Sequence, residues 1–274
     1  MIVRAWARVK AWTFAVAVLA LGLAIVEHAD PLPRMLVIVT ALFVGMKVVV
    51  LAERRLETGR ALDARRTVAF FGWVGMRPGD FAARRADLRS LDARPGLWSV
   101  AAGAGLLGVA RWAVTSWPMI AAALALPALS LIVHFGLLRL LAAFWRSRGF
   151  DVAPPFEAPW RATSLRDFWS RRWNRAFSEM AGLVAYRPVA GPFGASAGRL
   201  AAFVLSGLLH ELAISVPVRA GYGGPLLYFL LHGVLVASEP PARSRVWTLA
   251  CVVLPLPLLF HAPFLRGVVL PLLR

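Results

Sequence analysis

The stretch LAAFVLSGLLHELAISVPV, residues 200–218, decides the fold, because it is an apolar run of membrane length with a histidine near its centre. A bilayer core of about 30 Å takes ~20 apolar residues to cross as a helix. Further apolar runs lie at residues 11–26, 35–52, 97–114, 119–145, 225–238 and 246–265. The pattern predicts an all-α polytopic membrane bundle with about seven membrane helices, in one domain over residues 1–274.

Composition agrees with a membrane protein. Hydrophobic residues make up 59% of the chain, charged residues 16%, and the mean hydropathy is +0.67, whereas a soluble domain has about 25% charged residues. The net charge of +17 comes from bases that lie mostly between apolar runs. This placement favours anionic membrane lipids and acidic cofactors as partners and argues against nucleic acid. Cys251 is the only cysteine, so neither an intrachain disulfide nor a cysteine-based metal site is expected.

The distribution of bases predicts the orientation. A cytoplasmic amino terminus places 24 of the 31 basic residues on the cytoplasmic side, in the connections 1–10, 53–96, 145–199 and 239–245. The opposite connections, 27–34, 115–118 and 219–224, hold only Arg34 and Arg219. The short apolar segment 67–76 is interpreted as interfacial or re-entrant. Because 29 of the 31 bases are arginine, the composition suggests a GC-rich bacterial genome and hence an inner membrane.

His210 is the first candidate for chemistry, since a histidine in hydrocarbon is costly unless it faces the bundle interior or a wet cavity. Ser206 and Gly207 precede it on the same helical face, and their small side chains would leave space for a substrate. Glu211 projects about 100° away, so we expect it to pair with a cation from another helix. A buried histidine that only bonds a neighbouring helix is the structural alternative. Lys47 lies near the end of its run and is expected to reach the interface.

The segment SLRDFWSRRWN, residues 164–174, brings aromatic and basic residues together outside any apolar run. Asn174 ends it with an amide that can donate a hydrogen bond without ionising, or serve as a helix cap. The tryptophans favour the membrane interface. The guanidinium groups suit phosphates, although positive-inside topology explains them equally well. These candidate cofactor-binding residues are Arg166, Trp169, Arg171, Arg172, Trp173 and Arg175.

SLRDFWSRRWN, LSGLLHEL at residues 205–212 and HGVLVASE at residues 232–239 together resemble the membrane-bound O-acyltransferases (MBOAT), in particular their wax-synthase-like branch. The resemblance is specific over residues 164–239, and GWVGMRPGDF at residues 72–81 is similar to a stretch in those synthases. It implies transfer of a fatty acyl group from acyl-CoA, as co-substrate, to a long-chain alcohol or another hydroxyl-bearing lipid, which gives a wax ester. His210 would be the base, Asn174 its partner, and His232 a substrate-channel residue.

No permanently bound cofactor and no metal is expected. Alternatives within the enzyme class are a sterol, a glycerolipid or a polysaccharide as acceptor. A non-catalytic transporter or membrane scaffold is an alternative from another class, but no repeated halves are visible. The sequence also contains no HExxH, GxSxG or Walker motif, which argues against zinc proteolysis, serine hydrolysis and nucleotide hydrolysis.

Overall fold

The computed structural model describes residues 2–240 and 244–274, and over these ranges it consists of helices and connecting loops, with no strand. The expected cytoplasmic connections 1–10 and 239–245 therefore lie partly outside the described residues, at Met1 and at 241–243. The principal helices are α1 Ile2–Ile25, α2 Pro31–Thr58, α3 Ala64–Phe71, α4 Arg94–Ala113, α5 Pro118–Ser147, α6 Arg175–Ala181, α7 Arg187–His210, α8 Gly224–Ala237, α9 Arg245–Leu259 and α10 Ala262–Leu273. The expectation of an all-α polytopic protein is confirmed.

Fewer helices are long and apolar enough to cross a membrane than the sequence suggested. Among the described residues, four continuous helical stretches meet that requirement, namely Ala5–Ile25, Pro31–Thr58, Pro118–Ser147 and Arg175–Val218. A fifth is formed if the bent pair α9 and α10 counts as one span. The predicted run 225–238 corresponds to α8, which has 14 residues and is short for a full crossing.

The predicted single run 246–265 is broken. Helices α9 and α10 meet at an angle of 70°. Pro255 and Pro257 lie just before the break, and proline lacks the N–H that a continuous helix needs. His261 begins the second arm, because its Nδ1 accepts a hydrogen bond from the backbone N–H of Phe264 at 3.3 Å. His261 is thus a helix cap.

Close helix approaches rest on small residues. A Cβ added to Gly45 would lie 2.9 Å from the Ala15 side chain, so α1 and α2 touch at this point. A Cβ added to Gly103 would lie 2.8 Å from the carbonyl oxygen of Ala128, which brings α4 against α5 in the same way. Such contacts are typical of helices packed in a membrane.

Buried apolar side chains form two clusters, and α7 lies between them. The first cluster involves α4, α5, α8 and α10, and includes Phe229. The second involves α1, α2, α3 and the end of α5, and Phe177 and Leu209 pack against it. The imidazole of His210 contacts both Phe177 and Phe229, with ring centroids 5.9 and 4.4 Å apart. The candidate base therefore lies at the boundary between the two clusters.

Candidate active site

His210 ends α7 at the point where the backbone widens into a turn of π-helix, Glu211–Ser215. Its Nδ1 lies 2.7 Å from the carbonyl oxygen of Ser206, one turn earlier. A carbonyl can only accept, so Nδ1 carries the proton and the neutral ring presents its lone pair at Nε2. No described residue forms a hydrogen bond with Nε2. π-Turns often occur at functional sites, and this one begins directly after the candidate base.

The two small residues before His210 are used for packing. The Ser206 hydroxyl is buried and donates to the carbonyl oxygen of Ala202 at 2.8 Å. A Cβ on Gly207 would lie 2.7 Å from Leu226 Cδ1 and 2.9 Å from Leu226 Cα. The expected space for a substrate beside Gly207 is therefore filled by α8. Gly207 permits a close approach of α7 and α8, and the expectation of free space there was wrong.

Glu211 also differs from expectation. Its Oε1 accepts hydrogen bonds from the backbone N–H groups of Gly223 and Leu226, at 2.9 and 3.0 Å. These groups lie at the amino-terminal end of α8, where unpaired N–H groups and the helix dipole stabilise a carboxylate. Among the described residues no cation pairs with Glu211. The glutamate that follows His210 thus holds the helix that carries Phe229.

Asn174 is the amino-terminal cap of α6. It adopts a left-handed conformation with φ of 46°, which asparagine tolerates better than most residues, and its Oδ1 accepts from Phe177 N at 3.2 Å. Because Oδ1 is used in the cap, Nδ2 is the amide atom left to donate, and no described residue accepts from it. The ring of Phe177 contacts His210. Both candidate catalytic residues thus contact Phe177, Asn174 through its backbone and His210 through its ring.

The three arginines of the motif and Arg175, which directly follows it, fall into two pairs. Arg172 Nε lies 2.5 Å from Asp167 Oδ2, and Arg175 lies 3.8 Å from Glu157. Arg166 and Arg171 are exposed, and neither forms an ion pair with a described residue. Only the second pair therefore offers unoccupied guanidinium groups to an anionic ligand.

Trp169 and Trp173 are half-buried and pack on other aromatic rings, and their expected place at the membrane interface stays a prediction. Trp173 stacks on Phe168 and contacts Phe156, with centroid distances of 5.6 and 5.0 Å. The Trp169 ring lies 5.1 Å from His232, and its Nε1 is buried without a hydrogen-bond partner among the described residues. Both indoles pack on other aromatic rings, whereas Arg166 and Arg171 are exposed.

His232 is fully buried on α8, three residues after Phe229. Its Nδ1 lies 2.8 Å from the carbonyl oxygen of Tyr228, the same arrangement that His210 has with Ser206. Its Nε2 is buried and forms no hydrogen bond with a described residue. HGVLVASE and SLRDFWSRRWN meet a second time where Glu239 Oε1 accepts from the backbone N–H of Leu165 at 2.5 Å.

A polar cluster beside the motif escaped the sequence analysis. Lys47 does not reach the interface. It is fully buried and donates to the carbonyl oxygens of Phe70 and Gly75, at 2.8 and 2.5 Å. Arg77, in GWVGMRPGDF, lies 3.4 Å from Glu179 on α6. A lone lysine within an apolar run was the available signal, but its proximity to the end of that run was taken to place its amine at the surface.

A cavity of about 50 Å³ lies next to the ion pair between Arg77 and Glu179. Asp80 contributes to its wall, and burial raises the pKa of the Asp80 carboxyl to about 7, while Arg77 opposes that rise. The lining residues are Trp73, Gly75, Arg77, Asp80, Asp151, Ala153, Pro155, Arg175, Ala176 and Glu179. Over the described ranges, no group of histidine, cysteine or acidic side chains is arranged to hold a metal ion.

Comparison with known proteins finds similarity in the part of the chain that holds Asn174 and His210. Residues 152–231 match the profile of the membrane bound O-acyl transferase family. A long-chain-alcohol O-fatty-acyltransferase of Simmondsia chinensis is 37% identical over 107 residues, which cover 36% of this chain and 30% of that protein. Probable long-chain-alcohol O-fatty-acyltransferase 7 of Arabidopsis thaliana is 37% identical over 108 residues, covering 36% of this chain and 32% of its own length.

Another Arabidopsis thaliana relative, probable long-chain-alcohol O-fatty-acyltransferase 9, is 34% identical over 143 residues, covering 43% of this chain and 42% of its own. The matched part thus spans between about a third and two fifths of each relative. The matched part, which includes Asn174 and His210, is thus similar to membrane bound O-acyl transferases, and the predicted resemblance to the wax-synthase-like branch is confirmed.

Proposed function

We propose that this membrane protein transfers a fatty acyl group from acyl-CoA to the hydroxyl of a long-chain alcohol and so forms a wax ester. The observation that carries the proposal is the arrangement around Phe177. The ring of Phe177 contacts a histidine with its lone pair fixed at Nε2, and the backbone N–H of Phe177 binds an asparagine with an available amide donor. The names of the plant relatives support an alcohol as the acceptor.

In the proposed reaction, Nε2 of His210 removes the proton from the alcohol hydroxyl while the alcohol oxygen attacks the thioester carbonyl carbon. The amide Nδ2 of Asn174 donates a hydrogen bond to the oxygen that gains negative charge. The carbon–sulfur bond then breaks, and the coenzyme A sulfur takes the proton back from the imidazolium. The products are the ester and free coenzyme A, and His210 returns to its starting tautomer.

The proposed donor side is the cytoplasmic face. Arg166 and Arg171 are exposed and unpaired among the described residues, so they are the arginines we assign to the phosphates of acyl-CoA. Arg172 and Arg175 are held by Asp167 and Glu157 and are assigned to the local structure. This assignment adopts the orientation that the basic residues predict, with the amino terminus in the cytoplasm. The plant relatives give no support to the expected bacterial inner membrane.

The proposed acceptor side is a groove of about 970 Å³ between α1, the end of α2 and the segment before α7. Arg8 and Glu53 pair at 2.8 Å and Arg187 and Glu57 at 3.3 Å at one end of it, so its polar end is nearly neutral. The α1 residues that line its length are Val9, Trp12, Thr13, Val16 and Ala17. From Arg8 to Ala17 the groove extends about 14 Å along the helix, close to half of a bilayer core of about 30 Å. A neutral alcohol with its tail in one leaflet fits these dimensions.

The proposal is tested with purified protein in phosphatidylcholine nanodiscs, given palmitoyl-CoA and either hexadecanol, cholesterol, a diacylglycerol or glucose. We expect ester from hexadecanol and free coenzyme A in equal amounts. His28→Ala, which changes an exposed histidine in the connection between α1 and α2, serves as the control and should match the wild type. Preferential acylation of cholesterol, diacylglycerol or glucose would replace the wax-ester assignment. Release of no coenzyme A with any acceptor would favour a scaffold.

A further inference from the structure

We propose that residues 72–81, GWVGMRPGDF, form a clamp that positions Asn174 through the ion pair between Arg77 and Glu179. The inference rests on the proposed function, because it assigns a task to a segment that does not itself carry the candidate chemistry. The segment, called the clamp loop below, is fixed at both ends, and its middle reaches the helix that Asn174 caps.

The beginning of the clamp loop is fixed by Lys47 of α2. Its amine donates to the carbonyl oxygens of Phe70 and Gly75 and lies 3.5 Å from the centroid of the Phe70 ring. A buried amine needs such partners, since burying a polar group without hydrogen bonds is unfavourable. Two backbone oxygens five residues apart are thereby held at one point, which folds the loop into a fixed turn.

The end of the clamp loop is anchored in apolar packing. Trp73 and Phe81 are almost fully buried. The Phe81 ring lies 5.9 Å from Phe70 and 5.6 Å from Trp145 of α5. The Trp145 indole also donates to the carbonyl oxygen of Gly72 at 3.1 Å. The loop is therefore attached to α2, α3 and α5, and the position of Arg77 is set by these contacts.

From this fixed loop, Arg77 reaches the other side of the cavity. Its Nε lies 3.4 Å from Oε1 of Glu179, and the Glu179 side chain is 25% exposed. Glu179 and Arg175 lie four apart on α6, and both line the cavity with Arg77 and Asp80. The ion pair thus joins the clamp loop directly to α6.

Helix α6 is the beginning of the continuous helical stretch Arg175–Val218, and the first N–H groups of a helix have no partner within it. The position of this end therefore depends on its cap and on contacts such as the ion pair between Arg77 and Glu179. Asn174 is its cap, with Oδ1 bound to the backbone of Phe177, so any shift of α6 moves the amide donor relative to His210. Displacement of a catalytic group by about 1 Å can lower a rate by ~100-fold. Arg77 and Glu179 are therefore positioning residues, which act through Asn174 without touching the substrate.

The test is a charge exchange. Arg77→Glu and Glu179→Arg should each lower kcat by about 10- to 100-fold and change the KM for palmitoyl-CoA by less than twofold, whereas the double variant should recover most of kcat. Arg85→Glu is the matched control, because Arg85 pairs with Asp151 at 3.1 Å and is 62% exposed, compared with 59% for Arg77. Its kcat should equal the wild-type value. Gel filtration and thermal unfolding would verify that each variant folds. If the Arg77→Glu variant does not fold, Arg77→Gln is used in its place.

A second readout does not require activity. Hydrogen exchange of the backbone amides in residues 175–181 should be faster by roughly two- to fivefold in either single variant and return to the wild-type rate in the double variant. If the wild type makes no ester, the proposed reaction fails and exchange alone decides the clamp. Unchanged kcat and exchange in folded single variants, or no recovery in the double variant, would overturn the positioning role.

Discussion

Nδ1 of His210 lies 2.7 Å from the carbonyl oxygen of Ser206, one helical turn earlier. The helix itself therefore supplies the group that fixes the tautomer, without an aspartate or glutamate. Serine hydrolases use a carboxylate for this task. Here a backbone oxygen suffices, and the nearby acid, Glu211, holds the amino terminus of α8 instead.

Replacement of His210 by alanine should abolish ester formation. General base catalysis contributes about 10²- to 10⁴-fold, so kcat should fall at least 100-fold. The imidazole is half-buried, and its Nδ1 bond is to the helix of which it is part, so membrane insertion should change little. Ester yield per mole of purified protein checks this prediction. Turnover close to that of the wild type would assign His210 to helix packing.

Asn174→Asp separates the two tasks of the amide. Aspartate keeps the oxygen that caps Phe177 N, so α6 should form as in the wild type. It lacks the N–H donor, and loss of one oxyanion donor typically costs about 10²- to 10³-fold in rate. We expect thermal stability within error of the wild type and kcat lower by that factor. A fully active Asn174→Asp variant would show that the side chain is only a cap.

The helical membrane fold and the family resemblance could both be predicted from the sequence, because both depend on local pattern. Apolar length alone indicates a membrane helix, and the order of SLRDFWSRRWN and LSGLLHEL carries the family resemblance. Glu211 could not be assigned correctly, since its partners are backbone N–H groups 12 and 15 residues away that no side-chain pattern reveals. The expectation of free space beside Gly207 was wrong for the same reason, because Leu226, which fills that space, belongs to α8.

The predicted number of membrane helices and the predicted position of the Lys47 amine differ from the structure for different physical reasons. Length and hydropathy do not show where a helix bends, so the break between α9 and α10 was visible only as prolines. The position of Lys47 near the end of its run suggested an amine at the surface. Two carbonyl oxygens and the Phe70 ring instead compensate for its burial, and they come from a loop about 25 residues later in the chain.

A narrower groove along α1 should raise the KM for the alcohol. Val16 lines the groove and is 62% exposed, so Val16→Trp would project an indole into the space assigned to the acceptor tail. We expect a several-fold higher KM for hexadecanol and an unchanged KM for palmitoyl-CoA. Leu21→Trp is the control, because Leu21 is 61% exposed on the same helix and does not line the groove. Equal KM values for hexadecanol in the two variants would remove the groove from the acceptor path.

The stability of the protein should depend on Asp80 near neutral pH. Burial raises the pKa of the Asp80 carboxyl from an ordinary value of 3.8 to about 7 in the folded protein. Between these values the folded state binds more protons than the unfolded state, so stability falls as pH rises and the contribution is lost through about pH 7. The titratable groups that face Asp80 are Arg77, Glu179, Asp151, Arg175 and Lys47.

Asp80→Asn keeps the shape of the protonated carboxyl and cannot ionise. We therefore expect this variant to retain its melting temperature between pH 5 and 8 in detergent, where the wild type loses stability, and to exceed the wild type at pH 8. Asp87→Asn, which alters an exposed acid shortly after the clamp loop, should follow the wild type at every pH. The measurement is thermal unfolding followed by tryptophan fluorescence. Parallel pH profiles for Asp80→Asn and the wild type would show that Asp80 is ionised in the folded protein throughout this range.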